Sequence, residues 1–250
     1  MPGRACRENR APMNAFSQSL SAALDLVLHA DAALWAIVGL SLRVSASACA
    51  LGALLGLAGG AWLAVARFPG HALVVGGLNT LLALPSVVVG LVVYLLLSRS
   101  GPLGSWGILF TPTAMVIAQS ILVVPLIAAL ARQVVDDALR EGGDQLQAMG
   151  ASRGISALLL LLHERRAVVT VLLTAFGRAV AEVGAVMIVG GNIDGVTRVM
   201  TTAIALETIK GDLPLALGLG LVLLGVVALV NLGVGLTQRG AGTWRGGWAG

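Results

Sequence analysis

The chain of 250 residues is 57% hydrophobic and 11% charged, with a mean hydropathy of +0.93 and a formal net charge of +4. A soluble domain of this size needs many more polar side chains to cover its surface, and a disordered chain has far fewer apolar ones. No basic run is interleaved with aromatic residues, which argues against a nucleic-acid partner. Membrane residence is the class that remains.

Five stretches are long and apolar enough to be membrane-spanning helices, each of which needs about 20 mostly apolar residues. In chain order they cover residues 34–66, 72–97, 112–131, 167–190 and 213–237, and the fourth carries Arg178 and Glu182. Lipid cannot satisfy free backbone groups, so we expect helices packed on one another, with kinks at Pro85 and Pro125. The predicted fold class is therefore an all-α integral membrane protein of about five spans.

The first span carries a packing signal. Gly52, Gly56 and Gly60 recur every four residues, which lines small residues along one face and lets another helix approach closely. Before this span, residues 14–31 are apolar with three interspersed ionisable side chains. They fit a helix lying in the membrane interface better than a sixth span.

Arginine content predicts the orientation. Residues 132–166 hold five arginines, whereas residues 191–212 hold only Arg198 and Lys210 as basic residues. Cytoplasmic loops are the basic ones, so the first stretch should be cytoplasmic, the N-terminus outside and the C-terminus cytoplasmic. Arginines at positions 4, 7 and 10 conflict with this, unless translation starts at Met13 rather than Met1, and both starts stay open.

The predicted organisation has three parts. Residues 1–31 form an N-terminal tail and interfacial helix, residues 32–237 a transmembrane domain that includes the loop 132–166, and residues 238–250 a flexible Gly-rich cytoplasmic tail.

Several enzyme motifs can be set aside. Residues 150–154 match G-x-S-x-G, but a helix-like stretch precedes them where a nucleophile elbow needs a strand. His163-Glu164 begins like H-E-x-x-H, yet residue 167 is Ala. A P-loop needs Gly-Lys followed by Ser or Thr, whereas Lys210, the only lysine, lies between Ile209 and Gly211. We therefore expect no catalytic residue, no metal site and no bound cofactor, and any ATP must be hydrolysed by another chain.

The cytoplasmic stretch 144–166 predicts two short helices that meet at Gly150 and project from the membrane. Here the chain resembles ATP-binding-cassette importer permeases, whose cytoplasmic loop carries E-A-A, three residues, G, nine residues, I, one residue and L-P. Asp144 stands in place of the Glu, and Leu162-His163 in place of Leu-Pro. The resemblance implies that the segment couples to an ATPase through Asp144, Gly150, Ala151, Ser152, Arg153, Leu162 and His163.

Further motifs resemble the tungstate branch of the molybdate, sulfate and tungstate permeases. They are residues 84–90 (LPSVVVG), 98–104 (SRSGPLG), 177–185 (GRAVAEVGA), 190–193 (GGNI), 197–204 (TRVMTTAI) and 207–212 (ETIKGD). The resemblance implies a homodimer in a cell inner membrane with the path between two copies. It also implies two cytoplasmic ATPase subunits that use ATP and Mg, and an external binding protein that delivers the anion.

Two groups of residues are candidates for contact with the anion. The first group is the predicted anion path, which consists of Arg178, Glu182, Gly184, Gly190, Gly191 and Asn192. Within it, Arg178 and Glu182 can pair because they lie four residues apart on one predicted helix. A purely structural ion pair and glycines that only ease packing are the alternatives. The second is an external loop with Thr197, Arg198, Thr201 and Thr202, whose donors suit a tetrahedral anion or meet a binding protein, or are simply solvated.

Three other functions remain as alternatives. The nearest is the same architecture with molybdate or sulfate as cargo. A secondary transporter would show internal repeats and broken helices at matching positions, and no convincing repeat is present. An intramembrane enzyme lacks a credible nucleophile, base or metal set.

Overall fold

The computed structural model describes residues 20, 21, 24, 25, 28, 29, 32–148, 150 and 152–242, with side chains in these ranges except at 143–148, 153 and 238–242. All regular structure in this part of the chain is helical, which confirms the predicted class. The α-helices are α1 (Ala32–Gly52), α2 (Ala58–Val65), α3 (His71–Leu82), α4 (Ser86–Leu97), α5 (Pro112–Ala148), α6 (Arg153–His163), α7 (Arg165–Val180), α8 (Gly184–Gly190), α9 (Met200–Lys210) and α10 (Leu213–Gly242). A π-helical segment, Ala53–Leu57, joins α1 to α2, and a 3-10 turn occupies Gly104–Trp106.

Three helices of the described chain are long and apolar enough to cross a membrane: Ala32–Val65, Pro112–Gly142 and Leu213–Thr237. Two further spans are bent pairs, in which α3 and α4 meet at 97° and α7 and α8 at 56°. Counting each pair once gives up to five spans, at the positions that the apolar stretches predicted.

The glycine stripe of span one packs on span three, as its spacing predicted. A Cβ added to Gly52 would lie 2.8 Å from a side-chain carbon of Val123, and one added to Gly60 would lie 2.3 Å from the carbonyl oxygen of Ala128. Gly56 makes an equally close approach to Ile127. The two spans are thus held at a separation that a methyl group in the stripe would increase.

The two prolines have different effects. Pro85 precedes the first residue of α4 and has an extended backbone, so the expected kink is a complete break between α3 and α4. Helix α5, by contrast, runs through Pro125 as one helix. The break between α7 and α8 at residues 181–183 contains no proline, and the sequence did not predict it.

Two predicted loops contain more helix than expected. Helix α5 continues beyond its apolar part, Pro112–Gly142, to Ala148, so the first of the two predicted short helices is the far end of span three. The stretch 191–212, which was predicted to be an external loop, contains α9. The predicted interfacial helix at 14–31 lies largely outside the described residues, of which Leu20, Leu24 and Leu28 are helical.

Candidate functional site

The breaks in spans two and four lie beside each other. Helix α4 begins at Ser86 and α8 at Gly184, and a Cβ added to Gly184 would lie 2.8 Å from Ser86 Oγ. A few residues further on, a Cβ added to Gly90 would lie 2.8 Å from the Cα of Ala185. The second halves of both spans therefore cross through glycines. Non-helical backbone at membrane depth is tolerated only where protein or a water-filled cavity covers it. The two breaks are therefore the candidate region for a path, and at the crossing itself the two backbones are in contact.

The predicted ion pair between Arg178 and Glu182 does not form in the described part of the chain. The prediction assumed one continuous helix, but α7 ends at Val180. Glu182 lies in the break, where its Oε1 accepts a 3.3 Å hydrogen bond from the backbone N–H of Ala185. Its carbonyl oxygen accepts a 2.9 Å bond from the Thr201 hydroxyl. Glu182 thus stabilises the start of α8, while Arg178 is exposed on the single chain.

The predicted path glycines at the outer end of α8 are in contact with neighbouring side chains. A Cβ at Gly190 would lie 3.0 Å from the sulfur of Met115, and one at Gly191 would lie 2.8 Å from the Phe110 ring. Asn192 follows with φ 51°, a left-handed conformation that Asn tolerates. Its amide donates a 3.3 Å bond to the carbonyl of Thr202. Both glycines are thus closely packed against neighbouring side chains in the single chain.

The three threonines expected in an exposed loop are buried. Thr197 is fully buried, and its hydroxyl donates to the Gly190 carbonyl at 2.6 Å and accepts from the Ile193 N–H at 2.9 Å. Thr201 and Thr202 lie in α9, and the Thr202 hydroxyl accepts a 3.2 Å bond from the Val199 N–H. The expectation of exposed donors was wrong for all three, because the hydroxyls satisfy backbone groups that a tight turn and a helix start leave free.

Arg198 lies in a small charged cluster with carboxylates. Its Nη1 is 3.1 Å from Asp194 Oδ1 and 3.9 Å from Glu207 Oε1, and the Nζ of Lys210 is 3.0 Å from the same Glu207 oxygen. Glu207 is buried, and two cations compensate its charge. The side chain of Arg198 is 16% exposed. A free anion therefore competes with two carboxylates for this arginine.

Gln119 is a polar residue of the path region that the sequence analysis missed. It is buried in span three, and its amide donates a 2.9 Å bond to the carbonyl of Ala179, one of the last carbonyls of α7. Its Oε1 is buried without a hydrogen-bond partner in the described structure. The signal was available, because Gln119 is a lone amide within an apolar stretch, and buried polar residues in membranes are rare and functional.

The predicted coupling segment turns at Gly150, whose φ of 77° is left-handed, as the predicted sharp turn requires. The Ser152 hydroxyl caps α6 by accepting from the Ile155 N–H at 3.5 Å. Helix α6 ends at His163, next to Leu162, and α7 starts at Arg165. Of the other predicted coupling residues, Ala151 is outside the described residues and Asp144 and Arg153 are described by backbone alone.

Polar side chains are exposed on the first half of span two. Asn79 and Thr80 are exposed on α3, and nothing lies within 4 Å of a Cβ placed on Gly76 or Gly77. Helix α3 has no buried residue at all in the single chain. Leu73 is also 82% exposed on this helix, so it is the exposed amide of Asn79 that suits a protein or water-filled neighbour better than lipid.

Comparisons with known proteins place the chain among transport proteins. The tungstate uptake system permease protein of Peptoclostridium acidaminophilum is 40% identical over 223 residues, covering 88% of this chain and 96% of that protein. The "Probable anion ABC transporter permease protein" of Haloferax volcanii is 42% identical over 212 residues, covering 82% and 91%. The sulfate transport system permease protein of Escherichia coli is 27% identical over 179 residues, covering 69% and 65%. No protein-family model matches the chain.

Proposed function

The chain belongs to the permease family of ATP-binding-cassette anion uptake systems, and we propose that it is the membrane-spanning subunit of a tungstate importer. The observation that carries the choice of cargo is the 40% identity to a tungstate permease across 88% of this chain. The sulfate permease is more distant at 27% identity, so sulfate is a weaker candidate, as is molybdate. Because the chain belongs to this family, we do not propose a secondary transporter, even though two of the spans are interrupted as in that class.

Two copies of the chain form the path in this proposal. Arg178 lies well inside span four and is exposed in the single chain, as are Asn79 and Thr80 in span two. A charge or amide facing hydrocarbon is costly, so a second copy or a water-filled path must cover Arg178 and Asn79. The Thr80 hydroxyl instead donates a 2.9 Å hydrogen bond to the carbonyl of Gly76 in its own helix. The glycine crossing of α4 and α8 then places Ser86 and Gly184 where the two span axes bend.

Partner subunits supply the energy and the anion. The chain has no P-loop lysine, so two cytoplasmic ATPase subunits bind ATP and Mg and dock at the turn around Gly150. An external binding protein delivers tungstate and sets most of the specificity, since a path must release what it binds. Closure of the ATPase pair pulls on the end of α5 and favours the outward-open state, which is alternating access by population shift.

The proposed orientation follows from charge. The exposed side chains of Arg140 and Arg165 lie on the Gly150 side of the membrane, which makes this side cytoplasmic. With five spans the N-terminus is then outside and the C-terminus in the cytoplasm of a multi-pass inner-membrane protein.

Measurement of ATP hydrolysis tests the proposal. The chain, with the ATPase that co-purifies with it, is reconstituted in liposomes with excess external binding protein and tungstate, molybdate, sulfate or no anion. We expect tungstate alone to stimulate hydrolysis. Stimulation by another anion would overturn the cargo and keep the architecture, whereas the absence of any co-purifying ATPase would overturn the importer proposal itself.

A further inference from the structure

Helix α6 has an apolar stripe on its outer face. Ile155, Leu158, Leu159 and Leu162 are 55%, 59%, 45% and 64% exposed, and their spacing of three, one and three residues places them on one side of the helix. The opposite side is buried, with Ala157 and Leu160 packed against span one and span three. Exposure of four large apolar side chains in one stripe to water is unfavourable.

The contacts of α6 place it at the edge of the membrane. Its buried side packs on Ala61 and Val65, the last turns of span one, and on Val135 of α5. Val135 is 23 residues beyond Pro112, where α5 begins, and at ~1.5 Å per residue this is ~35 Å, against ~30 Å for the hydrocarbon layer. Residues that contact Val135 therefore lie near the headgroup boundary.

The stripe continues into a surface that faces lipid. Helix α6 ends at His163 and α7, part of span four, begins at Arg165 with one residue between them. Val169, one turn into α7, is 43% exposed. The apolar surface of α6 thus joins that of a membrane-spanning helix, and its end nearest the bilayer is the Leu162 end.

Charge and aromatic residues at the same level mark an interface. Trp62 is 60% exposed next to Ala61, and its ring stacks on Phe68 at 5.8 Å. Exposed Trp side chains concentrate at the membrane–water boundary. Arg165 is exposed at the α6–α7 junction, where it can meet lipid phosphate groups.

We propose that the Ile155, Leu158, Leu159 and Leu162 stripe of α6 is a membrane anchor that inserts into the lipid interface on the Gly150 side. The coupling segment is then divided between two partners. The polar turn around Gly150 contacts the ATPase, and α6 holds the base of the turn against the bilayer. This inference rests on membrane residence and not on the identity of the cargo.

Fluorescence quenching tests the anchor. Leu162→Cys is made in a Cys6→Ser, Cys49→Ala background, labelled with bimane, and reconstituted as the full chain in phosphatidylethanolamine and phosphatidylglycerol liposomes. Leu229→Cys, at a 70% exposed position of span five, is the lipid control, and Arg140→Cys is the aqueous control. Brominated acyl chains report lipid contact, and iodide reports water contact.

We expect quenching by brominated lipid at Leu162 to match Leu229, and iodide quenching to fall several-fold below that at Arg140, with no change when the ATPase is added. Strong iodide quenching in the permease alone would overturn the anchor. Shielding that appears only with the ATPase would assign the stripe to that partner, and shielding from both quenchers would assign it to a second copy. Leu158→Cys repeats the measurement, and none of these readouts needs ATP or anion, so a failure here leaves the proposed function untouched.

Discussion

Replacing Gly60 with alanine should force spans one and three apart. The added Cβ would lie 2.3 Å from the Ala128 carbonyl oxygen and 3.0 Å from the Ala128 Cα, and both atoms belong to backbone. A normal carbon–oxygen contact is about 3.3 Å, so the helices must separate by about 1 Å, which removes a quarter to a half of the attraction at each neighbouring contact. Overpacking of this kind costs about 1–3 kcal/mol.

Thermal stability in detergent, followed by size-exclusion chromatography with fluorescence detection, measures the effect. For a chain of this length ~1 kcal/mol corresponds to ~2–4 °C, so the midpoint of Gly60→Ala should lie ~2–12 °C below that of Gly59→Ala, which gains the same helix propensity. Gly59→Ala is the matched control, because nothing lies within 4 Å of a Cβ at that position. Alanine favours a helix over glycine, so the control should be unchanged or slightly more stable. Equal midpoints for the two variants would refute the packing argument.

Three further predictions concern transport. Gly150→Val should leave the chain folded, since no atom of the described residues lies within 4 Å of the added Cβ, but should uncouple ATP hydrolysis from the anion because valine resists the left-handed φ. Gly154→Val, in α6, should stay coupled. Gly90→Ala should reduce tungstate uptake because the added Cβ would lie 2.8 Å from the Cα of Ala185. Gly39→Ala, where no described atom lies within 4 Å of the added Cβ, should transport normally. Equal uptake by the two variants would contradict a role for the α4–α8 contact in transport. Arg178→Gln should reduce tungstate uptake. It should change the free energy of unfolding by no more than the ~0.5 kcal/mol typical of exposed sites. A large loss of stability with normal uptake would argue against a path role for Arg178.

The sequence predicted those features that depend on local composition. The lengths of the apolar stretches predicted the positions of the three long helices and of the two bent helix pairs. The four-residue spacing of glycines indicated the closely packed face of span one, and Pro85 marked the break in span two. Gly150 was expected at a sharp turn, and its backbone is left-handed.

The break in span four was not predictable because long-range contacts produce it. Arg178 and Glu182 have the spacing of a helical pair, and no proline or other local signal lies between them. The chain leaves the helix where the carbonyl of Glu182 bonds the Thr201 hydroxyl and the carbonyl of Ala179 bonds Gln119. The hydroxyls of Thr197, Thr201 and Thr202 were likewise assigned to a ligand, because sequence does not show which backbone groups a distant turn leaves free.

The π-helical segment Ala53–Leu57 is a position at which span one can lose one residue without turning its glycine stripe away from α5. Glycines spaced by four drift about 40° per step around an α-helix, or about 80° from Gly52 to Gly60. A wide turn bonded from residue i to i+5 takes in one more residue and cancels part of that drift, which keeps both glycines facing α5. Deleting Leu54, which is 70% exposed, should convert the wide turn to an ordinary one with the stripe intact. The same deletion at Ala46, inside α1, would rotate one half of the span by about 100° against the other and turn glycines away from α5.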